Sequence, residues 1–297
     1  MMSNALWSPL RTTFPSAVAA ATRPQTLPAE ADQLHPVMIG LIAAGLCVGV
    51  VWVVRCAARP ARVTLRGTPG RPNKTNLLHL LAVLGAWIGS QAILGGLYAA
   101  SIGQQPGERF LLFCTVVAQV VWFVMALVIA SYAFRHGLQR GLGLSARRWL
   151  YDSVRAVLGY LTILPVCMGL VILMINILPA RYQHEHVLLR CYATLATTWK
   201  AIVLLSAVVL APLSEEMFFR GLLQSMVRRY TGRPWLGILV ASAAFALIHI
   251  PYWQTLPSMF ALAVALGYNY ERTGRLYAPI VIHALFNAVS IAAWAYS

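Results

Sequence analysis

A polar opening gives way to a series of long apolar runs. Residues 1–36 are rich in Ser, Thr and Pro and show no sustained apolar period, which predicts a flexible tail. From Val37 onward the apolar runs fall at 37–54, 77–100, 110–134, 154–178, 198–227, 234–250, 256–271 and 277–295. A helix needs about 20 residues to cross a bilayer, so the pattern predicts an all-α polytopic membrane protein, with about eight transmembrane helices in one bundle over 37–297. The fifth run is longer than a crossing requires. The sixth and seventh are short, so tilted, broken or re-entrant helices are expected there.

Loop charge tests this division. Arg and Lys number six between the first two runs (Arg55, Arg59, Arg62, Arg66, Arg71, Lys74), then one (Arg109), four (Arg135, Arg140, Arg147, Arg148), two (Arg181, Arg190), three (Arg228, Arg229, Arg233), none, and two (Arg272, Arg275). High and low alternate throughout. Basic residues favour the cytoplasmic side of a membrane, which predicts a multi-pass protein with both termini outside, in a bacterial plasma membrane.

Composition agrees, with 59% hydrophobic and 10% charged residues and a mean hydropathy of +0.69. The net charge of +15 does not point to nucleic acid, because the basic residues sit in short loops between apolar spans, where the partner is the bilayer. The five cysteines (Cys47, Cys56, Cys114, Cys167, Cys191) show no C-x-x-C spacing and read as small buried hydrophobes. Gly85, Gly89, Gly95 and Gly96 in the second run are the residue type that lets another helix approach closely.

Against this background Glu215 and Glu216 stand out, two of only eight acids in the chain, side by side in the fifth run. An ionisable group at the centre of a spanning helix costs roughly 2.5–3.5 kcal/mol on insertion scales, so it requires a partner or a task. Glu216 and Arg220 are four apart and share a helical face. Glu215 lies about 100° further round and lacks that partner, which suits it to act as a general base. The same stretch also reads as an ordinary helix start, with Ser214 as N-cap and the acids in the first turn.

Two further pairs carry chemistry. Phe245 and His249 in the sixth run, and His283 and Asn287 in the eighth, are each spaced i,i+4. Polar groups on three spans each cost desolvation, and sharing one site lowers that cost. Their depths disagree, however. At 1.5 Å per residue Glu215 lies about 19 Å from Arg228, His249 about 24 Å from Arg233 and His283 about 12 Å from Arg275, so one helix must tilt or begin elsewhere.

Glu215-Glu216-x-x-x-Arg220, Phe245-x-x-x-His249 and His283-x-x-x-Asn287 resemble, in order, the three motifs of the CPBP family of intramembrane proteases, which includes the type II CAAX prenyl endopeptidases and bacteriocin-processing or immunity proteins. The resemblance covers about 201–297. It implies that Glu215 and His249 activate a water for attack on a peptide bond, that His283 and Asn287 stabilise the oxyanion, and that Glu216, Arg220 and Phe245 support them. The substrate implied is a membrane protein or peptide. The family has been described both as metal-free glutamate proteases and as metalloproteases. No cofactor is required in the first reading; in the second, Glu215, His249 and His283 would be the zinc ligands. A proton-coupled transporter using the same groups as a relay, or a non-cleaving scaffold or immunity protein of the same fold, are the rival readings.

Overall fold

The computed structural model describes residues 36–65, 67–68, 70–102, 107–179, 182–183, 195–250 and 252–295. The tail expected over 1–36, apart from Pro36, lies outside the described residues, as do Arg66, Arg181, Arg190 and Cys191.

All eight apolar runs fall on helices: α1 Pro36–Ala57, α2 Leu77–Ile102, α3 Glu108–Ala133, α4 Trp149–Ile177, α5 Thr197–Thr231, α6 Pro234–Leu247, α7 Leu256–Thr273 and α8 Tyr277–Ala295. No strand forms among the described residues; Asn73 and Phe134 make one isolated antiparallel bridge. Among the described residues six helices are long and apolar enough to cross a membrane, namely α1 to α5 and α8. The other two are the elements whose runs were short. α6 has only 14 residues, and the C-terminal turns of α7 carry Asn269, Glu271 and Arg272.

α7 is the interior helix. Its Ala263 and Tyr270 join an apolar cluster with α2, α3, α5 and α6, built around Trp122, Phe218, Phe219 and Phe245. Its Leu262 and Leu266 join a second cluster with Tyr160 and Leu164 of α4 and Ile282 of α8. The outer helix α1 touches α4 where Pro165, lacking an N–H, leaves the Leu161 carbonyl without its helical partner; a Cβ on Gly45 would collide with that carbonyl. The glycines of α2 behave otherwise. A Cβ at Gly85, Gly89, Gly95 or Gly96 would meet nothing within 4 Å, so they do not mark a close helix crossing.

Polar side chains tie α5 to α7. Arg220 Nη2 donates to the Ala263 carbonyl at 3.1 Å, and Gln224 Nε2 donates to the Gly267 carbonyl at 3.1 Å and to Glu271 Oε1 at 2.9 Å. Arg228 pairs with Glu271 Oε2, and Arg71 reaches Oε1 at 2.9 Å from the loop before α2. The three α5 residues are spaced by four, as are their three α7 partners, so two facing helical stripes meet rung by rung. Thus Arg71 and Arg228 are not merely loop charges facing lipid headgroups. They neutralise Glu271, which is fully buried. Arg275 and the buried Asp152 form a similar pair.

The turn into α8 resolves the disagreement in depth. Leu276 is fully buried and its N–H bonds the Gly143 carbonyl at 3.2 Å. Gly143 has φ +84°, and any Cβ there would strike the Gly274 carbonyl, so the loop before α4 lies directly over this turn. Arg275 therefore marks a recessed point inside the protein rather than its edge, and α8 starts deep enough for His283 to meet Glu216.

Replacing Glu271 with Ala would leave the Arg71 and Arg228 guanidinium groups without the buried carboxylate that they share. Thermal or denaturant unfolding in detergent should show a loss of about 3–5 kcal/mol, the usual cost of breaking a buried ion pair from one side.

Candidate active site

α5 runs unbroken through the paired carboxylates, with π-helical turns at Ser206–Leu210 and Met217–Gln224 flanking the segment Ala211–Glu216. Pro212 has no N–H for the Val208 carbonyl, which favours a widened turn at this point. Ser214 is mid-helix. Its hydroxyl donates backwards to the carbonyls of Leu210 at 2.9 Å and Ala211 at 3.0 Å, so the helix-start reading does not hold.

The two carboxylates have different surroundings. Glu216 is sealed, and its Oε1 accepts from Arg220 Nη1 at 2.7 Å and from His283 Nδ1 at 2.9 Å. Glu215 keeps 13% of its side chain exposed and makes no hydrogen bond among the described residues; its Oε2 lies 3.8 Å from His283 Nε2. His283 thus stands between the pair with one nitrogen toward each. Opposite Arg220 an ionised Glu216 can only accept, so Nδ1 carries the hydrogen and Nε2 is the nitrogen offered to Glu215.

Phe245, given a supporting role by the motif resemblance, seats more than His249. Its ring centroid is 5.0 Å from the His249 ring, 5.5 Å from that of His283 and 5.3 Å from that of Phe219, with the Arg220 guanidinium 4.8 Å above it. His249 itself lies beyond the last residue of α6, Leu247, in the following turn, although its run was expected to be helical to 250. Its Nδ1 is 2.8 Å from the Phe245 carbonyl, which can only accept, leaving Nε2 with its lone pair.

Asn287 sits one turn beyond His283 and donates from Nδ2 to the Ala207 carbonyl at 2.8 Å, fastening α8 to the first π-helical turn of α5. Next to that acceptor, Ser206 donates to Gln119 of α3. Neither Gln119 nor Ser206 was singled out from the sequence; the available signal was that Gln119 is an amide alone in an apolar run. Arg220, His249 and His283 therefore meet on the Phe245 ring, with Glu216 bonded to Arg220 and His283, Glu215 3.8 Å from His283, and Asn287 one turn further along α8.

Zinc would need three donors on one point. Both histidines donate through Nδ1, the arrangement that leaves Nε2 to ligate, but no group of three or more His, Cys, Asp or Glu is placed to hold an ion among the described residues. Glu215, His249 and His283 are not gathered into a three-ligand site.

The long apolar helices define an integral membrane protein with a buried Glu–Glu–His cluster between α5 and α8. Residues 197–289 match the family model described as Rce1-like, type II CAAX prenyl endopeptidase, the kind of family that the motifs resemble. Among curated proteins, the chain is 35% identical over 85 residues to an uncharacterized 24.3 kDa protein of Escherichia coli, which is 28% of this chain and 39% of that protein. It is 34% identical over 84 residues to the uncharacterized protein YpbD of Bacillus subtilis (strain 168), 27% of this chain and 40% of that one. The chain thus spans about two fifths of the length of these relatives. No solved structure matches.

Removing Arg220 should expose the strain in this cluster. Arg220→Met leaves Glu216 buried without its guanidinium and is expected to cost about 3–5 kcal/mol in unfolding experiments. Adding Glu216→Gln in the same chain should recover part of that loss, because the two effects are coupled.

Proposed function

We propose that this protein is an intramembrane endopeptidase that hydrolyses a peptide bond of a membrane-associated protein or peptide, with Glu215 as general base. The observation that carries the reading is the division of labour between adjacent carboxylates. Glu216 is sealed from solvent and holds Arg220 and His283 on its Oε1, whereas Glu215 has no hydrogen bond among the described residues and keeps limited access to solvent. A base must have a free lone pair and reach water, and Glu215 meets both needs.

In this scheme Glu215 and the Nε2 of His249 hold a water, and Glu215 takes its proton as the oxygen attacks the scissile carbonyl carbon. The 3.8 Å between Glu215 and His283 is too long for a direct hydrogen bond and is a span that one water can bridge. The oxyanion faces α8. Asn287 has a second amide hydrogen besides the one given to Ala207, and His283 can donate from Nε2 when it carries both protons, a charge countered by the carboxylates on either side. Collapse of the tetrahedral intermediate breaks the C–N bond, and the proton held by Glu215 passes to the departing amine. No step requires a metal ion.

The test is cleavage of a quenched fluorescent peptide library, including a farnesylated CAAX peptide, by purified protein in detergent. Wild-type turnover should fall about 100- to 10,000-fold in Glu215→Gln and persist in the presence of a chelator. Absence of turnover by folded wild-type protein on every peptide would contradict the endopeptidase reading, and loss in chelator would contradict the metal-free scheme.

A further inference from the structure

A second concave site lies away from the carboxylates. It is a cleft of about 840 Å³ where the loop before α2, the end of α3 and the end of α5 meet. From Glu216 to Ser225 and Arg228 the α5 axis runs about 14–18 Å, so this cleft is separate from the candidate active site. Five of its lining side chains are cationic (Arg71, Lys74, Arg135, Arg228 and Arg229) and none is acidic. Glu271, behind the wall, neutralises only one of these charges through Arg71 and Arg228.

The walls are fixed before any ligand arrives. Asn73 bridges Phe134, the Lys74 N–H bonds the Ala133 carbonyl at 2.7 Å, and the Arg135 N–H bonds the Pro72 carbonyl at 3.1 Å. Asn73 Nδ2 reaches the Ser225 carbonyl at 3.3 Å, closing the third side. A concave site with fixed walls and surplus positive charge, in which Lys74 and Arg135 are exposed, is suited to an anion bearing several acceptor oxygens.

The surroundings of the cleft indicate which anion. All three lining segments sit at helix ends on the face where basic loops accumulate, the level at which a bilayer presents its headgroups. Directly beyond Lys74 the start of α2 exposes Leu77, Leu78 and Leu81, and α3 exposes Tyr132, Val128 and Val124 in successive turns below the rim. An occupant with a phosphate in the cleft would continue along apolar helix surface. Basic pockets between membrane helices hold anionic lipid headgroups by this arrangement.

We infer that this cleft binds the phosphodiester headgroup of an anionic membrane lipid, with its acyl chains lying along α2 and α3. Lys74 and Arg135 are exposed and their side chains make no hydrogen bond or ion pair among the described residues, so Lys74→Ala/Arg135→Ala removes two charges without touching the Glu271 pairs. Purified full-length protein in detergent should be titrated with phosphatidylglycerol, phosphatidylcholine and inorganic phosphate, and the adducts counted by native mass spectrometry. Phosphatidylglycerol should be retained in preference to phosphatidylcholine, and its affinity should drop on the order of 30-fold in the double variant at an unchanged melting temperature. Equal retention of the two lipids, or retention unaffected by the double variant, would overturn the proposal. Retention of inorganic phosphate without phosphatidylglycerol would overturn the lipid as the source of the phosphate.

Discussion

The constraint on which this structure depends is the neutralisation of Glu216. A carboxylate with no exposure inside an apolar bundle is tolerable only when opposite charge and hydrogen-bond donors are fixed around it, and here Arg220 and His283 supply both. Arg220 comes from the same helix and His283 from α8, so the contact both solvates Glu216 and docks α8 against α5. Phe245 closes the remaining side through Arg220 and both imidazoles. Glu215, one residue away, is turned out of this arrangement by helical geometry and makes no hydrogen bond among the described residues, as the proposed role of general base requires.

The same logic extends toward the basic end of the bundle. Arg220, Gln224 and Arg228 project at intervals of four along α5 and meet Ala263, Gly267 and Glu271 on α7. Side chains that would otherwise oppose membrane insertion thus hold the interior helix in register, and Arg71 anchors the loop before α2 to the end of the row. One consequence is that the cationic cleft and the candidate active site rest on the same helix, α5, at different heights.

Much of this was legible in the sequence, and the exceptions have physical causes. Apolar length located all eight helices, because bilayer thickness sets that length, and the short sixth and seventh runs are the two helices that fall outside the length-and-hydropathy limits for a span. Spacing of four placed Glu216 on Arg220 and Phe245 beneath His249, since both pairs are local. What could not be read was long-range. Glu271 and Asp152 are single acids near helix ends and look like surface residues until Arg71, Arg228 and Arg275 are seen folded onto them. The depth of His283 was misjudged because Arg275 was taken as an edge, whereas Leu276 is buried beneath Gly143. The attachment of His283 to Glu216, and of Asn287 to Ala207, likewise depends on how α8 meets α5.

The central claim is that the adjacent carboxylates have opposite roles, Glu216 holding the fold and Glu215 free for chemistry. Thermal unfolding of Glu215→Gln and Glu216→Gln, measured side by side in one detergent, tests it most directly. The account predicts a clear fall in melting temperature for Glu216→Gln, which strands Arg220 in the interior, and a melting temperature close to wild type for Glu215→Gln. Equal destabilisation of the two variants, or the reverse order, would contradict it.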